Sequence, residues 1–189
     1  MAKRDLHRDV QRLASLLGRL DLFAESPSVT AQTASTPSRR LGAGVFIVHG
    51  HDNAVKQEVA RFMQQVTGTA PTILHEQPNG GRTIIEKFES VAADIGFAIV
   101  LLTADDQGSP TGEVDLNPRA RQNVVFEMGF FIGTLGRSRV AVIYERGVEL
   151  PSDMSGVLYT EIDGAGAWKL GLARELRAAG IDVDMNKAI

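Results

Sequence analysis

The run FAIVLL at residues 97–102 is wholly apolar, and it decides the fold class. Four further short runs have a similar length: VFIV at 45–48, TILH at 72–75, VAVIYE at 140–145 and a weaker LYTEI at 158–162. Of these four, VFIV and VAVIYE are almost as apolar as FAIVLL. A continuous apolar run of this length is typical of a strand that is covered on both faces. The sequence therefore predicts five strands, of which at least three lie inside a parallel sheet.

Helical patterns fill the intervals between these strands, near residues 53–66, 82–95, 119–134 and 165–179. Regular alternation of strands and helices predicts an α/β domain with right-handed crossovers. With five strands, the common arrangement is a flavodoxin-like, doubly wound parallel sheet in the order 2-1-3-4-5. We adopt that order as the prediction.

The composition limits the function classes. The chain has 189 residues, a net charge of −3 and no cysteine. Near-neutral charge argues against a nucleic-acid partner, which requires a basic face. The absence of cysteine excludes disulfides, thiol catalysis and cysteine-ligated metals. Since no apolar stretch approaches about 20 residues, we also expect no membrane span and a cytoplasmic location.

The amino-terminal part differs from the rest of the chain. Leu6, Val10, Leu13 and Leu17 recur at helical spacing, which predicts an amphipathic helix over residues 1–24. Residues 25–43 are rich in Ser, Thr, Ala and Pro, so we interpret them as a flexible linker. The folded domain is then residues 44–189. The helix could pack on this domain, pack on a second copy, or bind a regulatory partner.

The predicted sheet order places a ligand crevice outside the carboxyl ends of strands one and three, where the winding reverses. Strand one leads into HGHDN at 49–53, and strand three leads into TADDQGS at 103–109. Gly50 and the backbone amides that follow it could hold a phosphate. Alternatively, Asp52 or Asn53 only caps the next helix. The two histidines lack a third zinc ligand at a plausible spacing, so we predict no metal site.

The segment EQPNGGRT at 76–83 is predicted to be a loop because of its Pro, Asn and two glycines. Gly80 and Gly81 would let the backbone approach a ligand, and Arg82 could bind a phosphate or carboxylate with two hydrogen bonds. The alternative is an ordinary turn with a solvated arginine. His75 and Glu76 begin a zincin-like HExxH pattern, but Asn79 replaces its second histidine.

Glu127 is the one acid inside an otherwise apolar helix, RARQNVVFEMGFFIG at 119–133. An unpaired buried carboxylate is costly, so it is either a satisfied structural acid or part of a site. Asn123 lies four residues earlier and shares its face. We expect that face to point into the crevice, and Phe126 with Phe130 to face the sheet.

Two other uses of this fold fit the sequence poorly. Asp105 and Asp106 suggest a phospho-acceptor receiver domain, but such a domain also needs an acidic pair after strand one and a lysine after strand five. Only Asp52 follows strand one, and Lys169 lies in the last helix. The phosphate-binding patterns GxxxxGK[ST] and GxGxxG are absent as well, so a tightly held ATP is not expected.

Four motifs in order resemble the TIR-like domains of bacterial anti-phage effectors from cyclic-nucleotide signalling systems of the CBASS and Pycsar type. They are VFIVHGHD, HEQPNGGRTIIEKFE, LLTADDQG and RARQNVVFEMGFF, and the resemblance spans roughly residues 45–162. It implies a TIR domain and, as in many of that class, cleavage of NAD+ between nicotinamide and ribose. NAD+ would be a substrate, and no bound cofactor is expected.

The resemblance also implies site residues. Glu127 would be the catalytic residue, orienting the ribose hydroxyls and stabilising an oxocarbenium-like transition state. The substrate-binding residues would come from the loops after strands one, two and three and from the same helix: His49, Gly50, His51, Asp52, Gly81, Arg82, Thr103, Asp105 and Asn123. The loop after strand two would also contact neighbouring subunits, which implies self-association.

Two departures from the family pattern matter. Effectors of this kind carry a cyclic-nucleotide sensor, whereas only about 44 residues precede the domain here. The activator would therefore be a separate subunit, a self-assembled filament, or a sensor that has been removed from this sequence. The single tryptophan, Trp168, belongs to the final helix, far from the crevice. Nicotinamide would need another stacking partner, and Phe126 or Phe130 would serve only if they do not face the sheet.

Three functions therefore compete. The first is NAD+ glycohydrolase activity, with or without cyclisation of ADP-ribose. The second is a nucleoside N-glycosidase or deoxyribosyltransferase, which would release a nucleobase instead of nicotinamide. The third is a non-catalytic TIR module that signals by self-association, for which Glu127 would be dispensable and the Gly80–Gly81 loop essential.

Overall fold

Five parallel strands form the sheet of the computed structural model, which describes residues 42–73, 86, 88, 90, 92–152 and 156–188. The strands are β1 (Gly44–Val48), β2 (Thr72–Ile73), β3 (Ile95–Leu102), β6 (Val140–Tyr144) and β7 (Leu158–Glu161). Their order is β2-β1-β3-β6-β7, and every pairing is parallel. The predicted α/β class and the doubly wound five-stranded order are confirmed.

The central strand β3 is buried at all eight positions, as its apolar sequence predicts. Its alternate side chains enter two separate cores, one on each face of the sheet. On one face, Phe97, Ile99 and Leu101 pack with helices α1 (Asn53–Thr67) and α3 (Ala167–Ala178). On the other face, Ala98, Val100 and Leu102 pack with helix α2 (Gln122–Leu135). This two-sided burial is the physical basis of the doubly wound arrangement.

Helix α1 begins and ends with side-chain and glycine signals that its sequence contains. The Asp52 carboxylate accepts hydrogen bonds from the backbone N–H groups of Ala54 (2.8 Å) and Val55 (3.0 Å). Gly68 ends the helix with a φ of 72°, a conformation that glycine adopts without steric cost. These caps fix where the chain leaves β1 and where it returns toward β2.

The connection from β3 to α2 contains a feature that the sequence analysis missed. Strands β4 (Asp106–Gly108) and β5 (Asn117–Arg119) form a small antiparallel hairpin. Both are three residues long and polar, so no apolar periodicity marks them. As a result α2 begins at Gln122, three residues later than predicted.

Other predicted boundaries shift by smaller amounts. The helix predicted over 82–95 is represented by helical residues 86, 88, 90 and 92, and Ile95 already belongs to β3. Residues 74 and 75 of the second predicted strand lie outside the described residues. The predicted amino-terminal helix (1–24) and the predicted linker up to residue 41 lie outside them too. Every helix in the described ranges is too short or too polar to cross a membrane.

Candidate functional site

The loops after β1 and β3 meet at the carboxyl edge of the sheet through one carboxylate, that of Asp105. Its Oδ1 accepts a hydrogen bond from the backbone N–H of His51 (3.0 Å). Its Oδ2 accepts one from the hydroxyl of Thr103 (2.9 Å). Because each oxygen has a partner, Asp105 joins the two loops. The predicted site residues His51, Thr103 and Asp105 are therefore brought together.

Gly50 is required by this junction for a steric reason. A Cβ atom on residue 50 would lie 1.7 Å from Asp105 Oδ2, far inside contact distance. An added Cβ would force the Asp105 carboxylate or the loop to move. Gly50 therefore sets the separation of the two loops, in addition to any contact with a ligand.

The remaining residues of HGHDN have defined roles as well. His49 is half-buried, and its Nδ1 donates a hydrogen bond to the carbonyl oxygen of Gly50 (2.8 Å). Asp52 caps α1, as the alternative interpretation of the motif proposed. Its Oδ1 accepts both capping hydrogen bonds.

Helix α2 starts at the same carboxyl edge and runs down over the sheet, antiparallel to the strands. Phe131 packs on Phe46 in the middle of β1, with ring centroids 4.7 Å apart. Glu127 lies one turn nearer the carboxyl edge, about 6 Å along the helix axis. That distance equals about two residues of strand, so ideal geometry places Glu127 roughly level with Val48, the last residue of β1. The acid is thus placed where β1 gives way to the His49–Gly50 loop.

Burial changes the acidity of Glu127. The residue is only 8% exposed. Desolvation raises the pKa of its carboxyl group from 4.5 to about 7, and the nearby positive charge of Arg121 opposes the rise. A carboxyl group with a pKa near neutrality changes its protonation state with small changes in local charge. Perturbed groups of this kind concentrate at functional sites, although structural acids also show such shifts.

Arg121 is a site residue that the sequence analysis missed. Its Nη1 donates a hydrogen bond to Nε2 of His51, which ties the start of α2 to the loop after β1. Its charge also acts on Glu127. The available signal was its position immediately before the helix, six residues ahead of the buried acid. Arg121 therefore connects the junction at Asp105 to Glu127.

A second missed residue, Glu145, supports the junction from the adjacent strand. It follows β6, and its Oε2 accepts a hydrogen bond from the backbone N–H of Ala104 (3.0 Å). The loop after β3 is thereby held on both sides, by Asp105 toward β1 and by Glu145 toward β6.

The face of α2 that contains Glu127 is partly as predicted. Asn123 is exposed on the same flank, one turn earlier, as expected. The prediction that Phe126 and Phe130 face the sheet is wrong. Phe126 is 56% exposed. Phe130 is half-buried and packs on Phe88, with ring centroids 5.3 Å apart.

The reason for this error is the helical repeat of about 100° per residue. The sheet-facing positions are occupied by four other apolar residues: Val124, Met128, Phe131 and Leu135. Phe126 then points away from the sheet, and Phe130 lies on the Glu127 flank. Phe130 therefore becomes the nearest candidate for stacking with an aromatic ring.

Two predicted site residues cannot be placed, since Gly81 and Arg82 lie outside the described residues. Trp168, by contrast, is fully buried on the opposite face of the sheet from α2, with its ring 5.3 Å from that of Phe62. It therefore lies on the other side of the sheet from Glu127.

Similar proteins support the same architecture. The profile of the family described as CAP12/Pycsar effector protein, TIR domain, matches residues 44–164. The chain is 50% identical to the uncharacterized protein YuaY of Escherichia coli over 151 residues, which is 80% of this chain and 50% of YuaY. It is 40% identical to the protein tirC of Dictyostelium discoideum over 131 residues, 62% of this chain and 64% of tirC.

Shorter matches include the Pycsar effector protein PaPycTIR of Pseudomonas aeruginosa, 39% identical over 75 residues, which is 39% of this chain and 24% of that protein. The chain thus spans only about half to two thirds of the first two relatives and a smaller part of PaPycTIR. The family match covers more than half of the chain, from β1 to just beyond β7. This chain belongs to the TIR domain family of CAP12/Pycsar effector proteins.

Proposed function

We propose that this protein is an NAD+ glycohydrolase that cleaves the bond between nicotinamide and ribose, with Glu127 as the catalytic residue. The observation that carries the proposal is Glu127 itself: a buried acid on α2, whose first residues lie beside the loop after β1, at the edge where doubly wound sheets bind their ligands. No residue in the described part of the chain forms an ion pair with Glu127, and a buried carboxyl group of this kind is costly for the fold alone, so a ligand that interacts with it would give it a purpose.

The pKa of about 7 suits this chemistry. The nicotinamide ring of NAD+ is cationic, and a positive charge beside Glu127 favours the ionised form of its carboxyl group. The carboxylate would then stabilise the positive charge that develops on the ribose as nicotinamide leaves. Because nicotinamide is a good leaving group, no separate general acid is needed.

The surrounding groups fit the rest of the substrate. Arg121 supplies a positive charge beside the junction, and the first N–H groups of α2 have no side-chain cap. Such groups favour the negatively charged diphosphate of NAD+. Phe130, on the Glu127 flank, is the proposed contact for the nicotinamide ring. Linear and cyclised ADP-ribose are both compatible with this arrangement.

We further propose that the activity serves bacterial anti-phage defence in the cytoplasm, as an effector function. The relatives that suggest this role are named Pycsar effector proteins and CD-NTase-associated protein 12. Because of these names, we propose an activator that responds to a cyclic nucleotide and that is either another subunit or a separate sensor. Self-association through the TIR domain is part of the proposal, and Phe126 is a candidate contact since it is exposed.

Nicotinamide release from NAD+ tests the catalytic proposal. The wild type, Glu127→Gln and Glu113→Gln should be compared at high protein concentration, because neighbouring subunits could complete the crevice. Glu113 is exposed on the hairpin loop and serves as the matched control. We expect release by the wild type and Glu113→Gln, and a loss of at least about 100-fold in Glu127→Gln.

Other outcomes select the alternatives. Equal release by all three proteins would make Glu127 a structural acid. Release of a nucleobase from nucleosides, without nicotinamide release from NAD+, would favour an N-glycosidase or deoxyribosyltransferase. Self-association detected by light scattering, with no cleavage in the presence of cyclic nucleotides, would favour the non-catalytic signalling module.

A further inference from the structure

The hairpin of β4 and β5 projects from the surface of the domain. Residues 110–118, which include its tip, are all exposed. Within the tip, Val114 is 93% exposed and Leu116 is 57% exposed. Single exposed apolar side chains are common on protein surfaces, but these two are separated by only one residue, Asp115. The tip therefore presents a small apolar patch that is interrupted by a carboxylate.

Hydrogen bonds define the shape of this tip. The backbone N–H of Glu113 donates to the carbonyl oxygen of Pro110 (3.1 Å), and the Ser109 hydroxyl donates to the carbonyl oxygen of Glu113 (3.2 Å). At the base of the hairpin, the backbone N–H of Glu149 donates to the carbonyl oxygen of Pro118 (2.8 Å). A surface with a preformed shape loses less conformational entropy on binding. The tip can therefore contact a partner at a low entropic cost.

A groove of about 960 Å³ lies between α1 and α3, on the opposite face of the sheet from α2. Its volume is at the upper end of the range of about 300–1,000 Å³ that is usual for ligand pockets. The groove therefore has room for two side chains and the backbone that joins them. Its apolar lining includes Ala54, Val55 and Phe62 from α1 and Ala167 and Leu170 from α3.

The charged side chains of this groove are mostly basic: Arg61, Lys169 and Lys187 line it together with one acid, Glu58. Glu58 pairs with Lys169 (3.1 Å), and Lys187 lies 3.6 Å from Asp184. No acid in the described ranges forms an ion pair with Arg61. The groove therefore has an excess of positive charge at Arg61, which favours an acidic partner.

The hairpin tip complements the groove in apolar surface and in charge. Residues 109–118 contain acidic residues and no lysine or arginine. The hairpin leads from β3 into α2, whereas the groove lies on the other face of the sheet, and the exposed tip does not fill the groove of its own chain. A second copy of the chain offers both surfaces.

We propose that the hairpin tip of one copy of this protein docks into the groove between α1 and α3 of the next copy. Val114 and Leu116 would contact the apolar walls, and Asp115 would lie beside Arg61. Because the two surfaces differ, the contact is head-to-tail, and its repetition would build a ring or a filament. The inference rests on the self-association that is part of the proposed function, and it is independent of NAD+ cleavage.

Sedimentation velocity of the full chain over a concentration series tests this proposal. We expect the wild type to associate with a Kd on the order of 0.1 mM, because the contact is small. Val114→Asp places a charge on the apolar patch and Ala167→Trp fills the groove, so each should raise the Kd at least about tenfold. Ala178→Trp adds the same ring at an exposed position of α3 outside the groove, and it should associate as the wild type does.

Mixing the two defective variants distinguishes a head-to-tail contact from a symmetric one. Val114→Asp keeps an intact groove and Ala167→Trp keeps an intact tip, so an equimolar mixture should form dimers that cannot extend. Each variant alone should stay monomeric at the same total concentration. If Ala167→Trp does not fold, as judged by circular dichroism, Arg61→Glu on the exposed surface of α1 takes its place.

Three results would overturn the proposal: a wild type that stays monomeric, association of both variants at the wild-type Kd, or a mixture that forms no dimer. The first would overturn the proposed self-association as well. The second and third would place the contact elsewhere, and loss of association in Phe126→Ser would then locate it on α2. None of these measurements depends on nicotinamide release, so a failure of the glycohydrolase proposal would leave them unchanged.

Discussion

The two flanks of helix α2 differ in what they bury. One flank buries a carboxyl group, Glu127, with its pKa raised to about 7. The other places the apolar side chain of Val125 beside a cavity whose charged groups, Arg119 and Glu149, come from neighbouring segments. The Glu127 flank is tied to the loop after β1 through Arg121 and His51. The Val125 flank faces the loop after β6.

One helix thus borders two different surfaces of the protein. A helix that starts at the carboxyl edge of a parallel sheet borders the strand ends on both of its sides. On the Glu127 side the helix itself contributes the buried carboxyl group that we propose to be catalytic. On the Val125 side the helix contributes mainly an apolar wall of the cavity. The charged groups there come from the end of β5 and from the loop after β6.

The largest expected difference between substitutions on the two flanks is in catalytic activity. Glu127→Gln should lower nicotinamide release by about 100-fold or more, because the amide cannot provide negative charge to the transition state. Val125→Ala, two residues away on the other flank, should retain activity within about threefold. Initial rates at saturating NAD+ provide the measurement. Similar losses in both variants would mean that the flanks are not functionally distinct.

The next effect is on stability and depends on pH. Since the folded-state pKa of Glu127 is about 7 and its ordinary value is 4.5, the folded protein binds this proton more tightly than the unfolded chain does. The wild type should therefore lose stability as pH rises from about 4.5 to 7, by at most about 3 kcal/mol. The stability of Glu127→Gln should not fall over this pH range.

Urea unfolding of both proteins at pH 5 and pH 8 measures the difference in the free energy of unfolding. Glu113→Gln should behave as the wild type does at both pH values. If the gap between wild type and Glu127→Gln does not widen toward pH 8, the pKa of Glu127 is not raised in the folded protein.

Gly50→Ala tests the steric junction that supports the Glu127 flank. The new Cβ would collide with Asp105 Oδ2, so the carboxylate must leave its hydrogen bonds to His51 and Thr103 or the two loops must separate. We expect a loss of about 1–3 kcal/mol in stability and at least about a tenfold loss in activity. Thermal unfolding and initial rates would measure both. A fully active, equally stable Gly50→Ala would show that the junction tolerates a different geometry.

Arg121→Gln should have a smaller, pH-dependent effect. The positive charge of Arg121 lowers the pKa of Glu127, so its removal should raise that pKa further and move the rate profile toward higher pH. At neutral pH we expect about a tenfold loss. Arg121→Lys keeps the positive charge, so its pH profile should be close to that of the wild type even where its maximal rate remains lower. An unshifted profile in Arg121→Gln would show that the charge does not act on Glu127.

The smallest effect concerns Gly129, an exposed position of α2 one turn after Val125. Gly129 is exposed, and an added Cβ would meet no atom within 4 Å. Gly129→Ala should therefore stabilise the protein by about 0.5–1 kcal/mol, since alanine loses less conformational freedom in a helix. Chemical unfolding gives the value. Full activity with no gain in stability would indicate that this face is covered by another chain.

Some parts of this protein could be predicted from single residues and short patterns. Each apolar run marked a strand of the sheet, and Glu127 stood out as the one acid in an apolar helix. The hairpin of β4 and β5 could not be predicted, because its strands are short and polar. The facing of Phe126 was also predicted wrongly, since four apolar residues competed for the sheet-facing positions of α2.

By itself, the sequence determined the strands of the sheet, because apolar burial follows a local periodicity. Their order was predicted as the common arrangement of five parallel strands, and the structure has that order. Only the tertiary structure decided which side chains meet at the carboxyl edge of the sheet. His51 contacts Asp105 across 54 positions of the chain and Arg121 across 70 positions. Such hydrogen bonds depend on the separation and orientation of whole loops, which no local pattern encodes. The acid was visible in the sequence, whereas its surroundings had to be seen in the fold.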